Sequence, residues 1–188
     1  MATKVVVLLN GPPGSGKDML ADELARRKYA HHHRFKETLY AATRDHYSVT
    51  EARWAEMIER KNKETPQPEL GGITPRAAMI HVSEDIMKPQ HGDDVFAAAT
   101  KERLVDGNIN VISDCGFDVE AATMMADPTV NVLLIRLSRK GCTFANDSRD
   151  YVHPQTIPQI DLANNGTPIE LVTTAMGWIE SWMGTWTS

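Results

Sequence analysis

The stretch Lys4–Leu9, KVVVLL, is a continuous apolar run, the signature of a strand buried on both faces. Directly after it the pattern changes to helical spacing over Gly16–Lys28, with Met19, Leu20 and Leu24 on one face. His33–Phe35 reads as a short strand and Thr50–Lys63 as a helix. Thr74–Lys88 is a strong helix: Thr74 can cap it, Pro75 suits the first turn, and Ala78, Ile80, Val82 and Ile86 supply apolar positions. Helices are also expected over Asp93–Asp106, Asp118–Ala126 and Thr167–Met183. Strands are expected at Asn110–Ser113, Val130–Ile135 and Pro158–Leu162. This alternation predicts an α/β fold in three layers, a parallel sheet of about five strands with helices on both faces. No repeat or long linker interrupts it. The polar stretch Lys61–Gly72, with two prolines and a Gly-Gly, is the most loop-like part.

The 188 residues suffice for one domain with a full core. A net charge of −5 argues against a dedicated nucleic-acid partner, although a few local cations would suffice for a small anion. No apolar run approaches the ~20 residues that a membrane span needs. The two cysteines, Cys115 and Cys142, make no disulfide framework and no metal-ligand spacing, which points to a reducing cytoplasm.

The chemistry concentrates after the first strand, in Gly11-Pro12-Pro13-Gly14-Ser15-Gly16-Lys17-Asp18. This is the P-loop pattern G-x-x-x-x-G-K in its required strand–loop–helix context. Glycines allow the backbone N–H groups to converge on phosphate oxygens, and the helix starting near Gly16 adds the positive end of its dipole. Lys17 would reach the β- and γ-phosphates and balance charge developing in transfer. Met19 follows in the first helical turn. Asp18 stands where Ser or Thr is usual; a carboxylate there could hold Mg²⁺ through water, but it also adds negative charge near the phosphates. Asp114, at the carboxyl end of NVIS, could orient the Mg²⁺ shell or an acceptor, or could simply be a turn aspartate.

Four stretches give the chain a resemblance to the deoxynucleoside monophosphate kinases of bacteriophages. They are the GKD ending at Gly16-Lys17-Asp18; Phe35-Lys36-Glu37 with Leu39; Thr74-Pro75-Arg76-Ala77-Ala78-Met79, running on through Glu84-Asp85 to Asp94-Val95-Phe96; and Asp161-Leu162-Ala163-Asn164-Asn165-Gly166-Thr167. The GKD ending also occurs in some phosphomevalonate kinases. The resemblance implies a nucleoside monophosphate kinase fold, with an acceptor-binding helical insert at about 36–108 and a lid at 137–157. It implies ATP and Mg²⁺ as cofactors, a nucleoside monophosphate as second substrate, and the host cytoplasm as location if the chain is phage-encoded. Phe35, Lys36 and Glu84 fall in segments resembling the acceptor site, and Asn164, Asn165 and Gly166 in a turn bordering the ATP base. That family carries an arginine soon after the aspartate equivalent to Asp114, whereas here Cys115, Gly116 and Phe117 follow.

Arginine forks suit the clamping of several phosphates. Lys36, Arg44 and Arg76 are the acceptor-side candidates, with Arg76 first because of the family-like helix it sits in. Arg136, expected to leave the sheet after VLLI, Arg139 and Arg149 are the donor-side candidates, Arg139 closing from the lid. Each could equally be a solvated or salt-bridged surface arginine. The run His31-His32-His33 would alternate faces in a strand and so does not converge on one metal. Trp178, Trp182 and Trp186 recur every fourth residue, which suits packing of the last helix or a homodimer contact. The reading is an ATP-dependent phosphotransferase acting on a (deoxy)nucleoside monophosphate. The alternatives are a P-loop kinase of another small phosphorylated acceptor, phosphomevalonate-like, and an ATP-binding regulatory module that is not a kinase.

Overall fold

A computed structural model describes residues 4–145, 147 and 149–185. Contacts divide the chain into two compact units, one formed by the chain up to Arg34 together with the chain from Thr100 onward, the other by Phe35–Ala99.

In the first unit, β1 (Lys4–Asn10), β2 (His31–His33), β3 (Ile109–Ile112), β4 (Val130–Ser138) and β5 (Gln159–Ala163) form one sheet. All pairings are parallel and the order is β2-β3-β1-β4-β5. The central strand β1 therefore lies where the order reverses, the place at which open α/β sheets bind ligands beyond their carboxyl ends. Its Val6, Val7, Leu8 and Leu9 are fully buried, which is why the run is apolar without alternation. Val7, Leu9, Leu133, Ile135 and Leu137 join one core with Leu20 and Leu24 of α1 (Lys17–Arg26) and with Val172, Ala175 and Ile179 of α8 (Pro168–Gly184). Alternate strand residues face the opposite way, and α7 (Asp118–Met125) also packs on β4.

The Phe35–Ala99 unit is helical. It contains α2 (Lys36–Tyr47), α3 (Glu51–Met57), a 3-10 turn at Pro68–Leu70, α4 (Pro75–Ile80), a π-helical segment at His81–Met87 and the short α5 (Lys88–His91). Its α6 (Val95–Lys101) runs two residues past the unit's boundary. Trp54, Met57, Leu70, Ala78 and Met79 form its core. Thr50 and Thr74 cap α3 and α4 by accepting from the amides of Arg53 and Ala77.

Several boundaries differ from the sequence expectation. The helix over Lys36–Tyr47 was not expected. The Thr50 helix stops at Met57, well short of Lys63. The Thr74 helix breaks into a π segment ahead of Pro89, whose missing N–H cannot continue an α ladder. Strand β4 runs three residues beyond Ile135, so residues 137 and 138 belong to the sheet and Arg136 sits within it. Trp182 packs against the core while Trp178 is exposed; Trp186 lies outside the described residues. Among the described residues no helix is long and apolar enough to cross a membrane.

Beyond its apolar residues, β3 is fastened by one buried polar side chain. The amide of Asn110 donates toward the carbonyls of Val105, Asn108 and Val5, and its oxygen accepts from Val105 N at 2.8 Å. Replacing it takes a partner from several part-buried backbone groups. Asn110→Ala is expected to lower unfolding stability by about 2 kcal/mol, read by urea denaturation.

Candidate functional site

The loop after β1 is built by three glycines at positive φ: Gly11 at 148°, Gly14 at 82° and Gly16 at 104°. A left-handed residue followed by the right-handed start of α1 is the geometry that gathers successive N–H groups into an anion-binding concavity. Space, as well as conformation, forbids side chains here. A Cβ on Gly11 would lie 2.3 Å from Leu137 O, and one on Gly16 would lie 2.4 Å from Nδ2 of Asn164. That same Nδ2 donates to Ser15 O at 2.8 Å, while the backbone N of Asn164 donates to Ser138 O at 2.7 Å. Asn164 thus joins the loop to the end of β4. Its side-chain nitrogen braces the loop. Asn165 likewise accepts from Lys140 N at 3.0 Å, and the turn's Gly166 lies beside the Glu170 carboxylate that caps α8.

Lys17 is 8% exposed, and its Nζ donates to the carbonyls of Gly11 and Pro12. A desolvated ammonium placed against carbonyl dipoles at the rim of an anion-shaped loop can exchange them for phosphate oxygens. Ser15 Oγ is fully buried and, among the described residues, has no hydrogen-bond partner. It lies against the Gly11 backbone, where an added Cβ would come within 2.9 Å of it. An orphaned hydroxyl costs on the order of 1–3 kcal/mol.

Asp18 opens α1 with its side chain 56% exposed. Its Oδ1 accepts from Ser113 Oγ at 2.8 Å and from Arg34 Nε at 3.2 Å. Behind Ser113 stands His32, with Nε2 2.8 Å from that hydroxyl and Nδ1 2.7 Å from Asp22 Oδ1. Arg34 reaches Asp22 as well, at 3.3 Å. Ser113 has one proton, and an ionised Asp18 accepts it, leaving the serine lone pairs toward His32. Contacts on both ring nitrogens favour the doubly protonated ring, whereas burial first and the Arg34 guanidinium second lower the pKa of His32. The histidine run thus serves this network through His32, while His33 Nε2 faces Asn110 Oδ1 at 3.0 Å.

Asp114 follows β3 and is 8% exposed. The sequence offers no arginine just after it, but the fold brings one from elsewhere. The stem of Arg149 crosses Gly116 so closely that a Cβ there would meet its Cδ at 2.4 Å. Asp147 holds the Arg149 guanidinium by two bonds, at 2.9 and 2.7 Å, and Asp114 and Glu120 lie within its field. Asn10, the last residue of β1, completes the frame: its amide donates to Cys115 O and Asp150 O, and its oxygen accepts from Val152 N. Val152 is buried, so this part of the expected lid segment is anchored to β1. Sequence reading did not single out Asn10, Ser113 or Glu120; the first two are polar residues ending apolar strands beside the loop, and that was the available signal.

The other candidates divide. Arg139 is exposed in the turn after β4. Arg136 does not leave the sheet: it binds Asp161 on β5 by two bonds, at 2.7 and 3.0 Å, which pins the edge of the sheet. Met19 packs its side chain against the core. Phe35, Lys36, Arg44, Arg76 and Glu84 all lie in the Phe35–Ala99 unit. There Phe35 is 2% exposed, closed off as a stacking surface. Arg44 pairs with Glu51 at 3.2 Å and Arg76 with Glu64. Glu84 accepts from Lys88, the main cause of its lowered pKa, and from Ser83.

Glu120 titrates unusually. Its carboxylate accepts from the amides of Gly116 and Phe117, at 2.8 and 3.1 Å. Burial nevertheless pushes its pKa up to about 7 from 4.5, with the Asp114 charge adding to the rise and the Gly116 amide opposing it. A folded-state pKa above the unfolded value gives stability that is full below the unfolded pKa and is lost as pH rises through the folded one. Between pH 4.5 and 7 this group alone should remove up to about 3 kcal/mol. Glu120→Gln should flatten that slope, as read by chemical denaturation across the interval.

No protein-family model matches the chain, and a search of curated proteins gave no match. Solved structures do resemble it. A gluconokinase from Sinorhizobium meliloti 1021 superposes with a TM-score of 0.51 at 10% identity, over 100% of this chain and 98% of that one. The Cys556Ala mutant of the APS kinase CysC from Mycobacterium tuberculosis does so at 0.50 and 13% identity, over 96% and 99%. At such identities the likeness speaks for the fold, and the chain has the α/β fold of the P-loop kinases.

Proposed function

We propose that the chain is a phosphotransferase that moves the γ-phosphate of ATP to a small acceptor, and that the acceptor is a (deoxy)nucleoside monophosphate. One observation carries the first part: a three-glycine loop with a buried lysine across it, at the carboxyl end of the central strand. That loop supports reading a polyphosphate site at the point where α/β sheets take ligands. The second part rests on the GKD loop and the Thr74–Met79 segment. Two of the fold neighbours, a gluconokinase and an APS kinase, agree with the first part, although their acceptors differ from each other.

In this reading the loop amides hold the donor's β- and γ-phosphates, and Lys17 trades its carbonyl partners for phosphate oxygens. An oxygen of the acceptor's phosphate attacks the γ-phosphorus. The bond from that phosphorus to the β–γ bridging oxygen breaks, and ADP leaves with the electron pair. An anionic acceptor needs no strong base, so positioning and charge compensation supply most of the catalysis. Arg149, held over Gly116 beside Asp114, and Arg139 in the turn after β4 are the arginines assigned to the transferred group. Arg76 and Lys36 are the cations assigned to the acceptor's phosphate. Mg²⁺ suits the carboxylates Asp18 and Asp114 as hard oxygen ligands and would neutralise phosphate charge when bound.

The test is ADP release with ATP and Mg²⁺ across a panel of nucleoside monophosphates, with gluconate and phosphomevalonate beside them. Acceptor-dependent release is expected with at least one monophosphate. Lys17→Ala should lower that rate at least about a hundredfold, since it removes charge compensation from the transition state. Release that is indifferent to every acceptor would favour the regulatory-module alternative, and release with only a non-nucleotide acceptor would overturn the second part.

A further inference from the structure

The turn between β3 and α7 is built against stability at two points. Phe117 occupies the N-cap of α7, at φ −130° and ψ 143°, where Ser, Thr, Asp or Asn would accept a first-turn amide. A phenyl ring accepts nothing, and this residue stands 44% exposed. Val119, in the first turn that follows, is exposed as well. The hydrogen bonding of the turn falls instead to Glu120, whose carboxylate accepts from Gly116 N at 2.8 Å and Phe117 N at 3.1 Å. Holding that group is unfavourable too, since burial pushes its pKa up to about 7. A buried acid that fixes an exposed aromatic breaks the local rules of capping and of burial together, and such breaches concentrate at functional positions.

We propose that Phe117 is the surface on which the acceptor's base stacks, and that Glu120 is the residue that positions it. The inference rests on the reading of the acceptor as a nucleoside monophosphate and deepens it by naming what recognises the base. Three placements carry it. The turn lies beyond the carboxyl end of β3, which pairs with β1, so it stands at the same end of the sheet as the glycine loop. The side chain of Asn10, one residue before Gly11, donates to Cys115 O at 3.0 Å, which ties the turn to the start of that loop. The stem of Arg149, the arginine assigned to the transferred group, crosses Gly116, and Phe117 begins one peptide further, about 3.8 Å along the chain. These ties and the two bonds to Glu120 fix the backbone that carries the ring, so little ordering is left for the moment of binding. Every base has a π-face, so an aromatic here favours a nucleotide over a sugar or an organic acid without choosing among the bases.

The measurement is steady-state ADP release with ATP, Mg²⁺ and the best monophosphate of the panel, beside urea denaturation of each variant. Phe117→Ser should raise the KM of the monophosphate about tenfold and leave the KM of ATP within about twofold. The same substitution should raise the urea midpoint, because a serine at this N-cap accepts a first-turn amide where the ring cannot. Phe117→Tyr keeps the π-face and should rescue the monophosphate KM to within about threefold of the parent's. Glu120→Ala frees the turn and should raise that KM by roughly the same factor as Phe117→Ser, whereas Glu120→Gln keeps an accepting oxygen and should not. An unchanged monophosphate KM in Phe117→Ser overturns the assignment. A lowered urea midpoint in that variant makes the ring a packing residue and overturns it too, as do equal rises in the two KM values. A parent that releases ADP with none of the monophosphates overturns the acceptor reading and the assignment with it, an outcome distinct from the others.

Discussion

The hydrogen bond from the Asn164 side chain to the carbonyl of Ser15 is the constraint on which the site depends. It spans 149 residues of chain and fixes the loop after β1 against the turn after β5. Because the amide lies where a side chain on residue 16 would have to go, the position must be glycine. Because Leu137 O crowds residue 11 from the other side, that position must be glycine too. Held on both flanks, the loop keeps its left-handed residues with their amides gathered before any ligand arrives. A preorganised loop does not pay for ordering at the moment of binding.

Around that frame the charges are arranged in pairs with a remainder. Lys17 is desolvated against carbonyls, Asp18 and Asp22 share Arg34, and Arg149 is held by Asp147 near Asp114 and Glu120. Each cation near the loop is thus pointed by a neighbour, which costs flexibility and lends direction. The raised pKa of Glu120 belongs to the same crowding: with several carboxyl groups in one corner, burial leaves this one protonated to about pH 7.

Much of the fold was legible in the sequence because buried parallel strands are apolar runs and their loops carry glycine. β1, the loop and α1 were placed to within a few residues, as were α7 and α8. Thr74 was legible as a cap, and the structure shows Thr50 and Thr167 capping α3 and α8 in the same way. Helix α2 escaped notice because Phe35 at its start offers no capping side chain and Thr43 is its one buried residue. The length of β4 was hidden by Arg136, whose charge reads as a strand end although Asp161 on the neighbouring strand neutralises it. The partners in the site were harder to see. Asp18 and Ser113 are 95 residues apart, and Arg149 enters above Gly116 from a segment without regular structure. Such meetings depend on tertiary packing, which no local periodicity encodes.

If the glycine loop grips a polyphosphate tail, its backbone amide chemical shifts will report the γ- and β-phosphates. Titration of isotope-labelled protein with ATP should shift the amides of Gly14, Gly16 and Lys17 strongly, and AMP at equal concentration should leave them nearly unmoved. Equal shifts with the two nucleotides, or shifts confined to residues away from the loop, would contradict it.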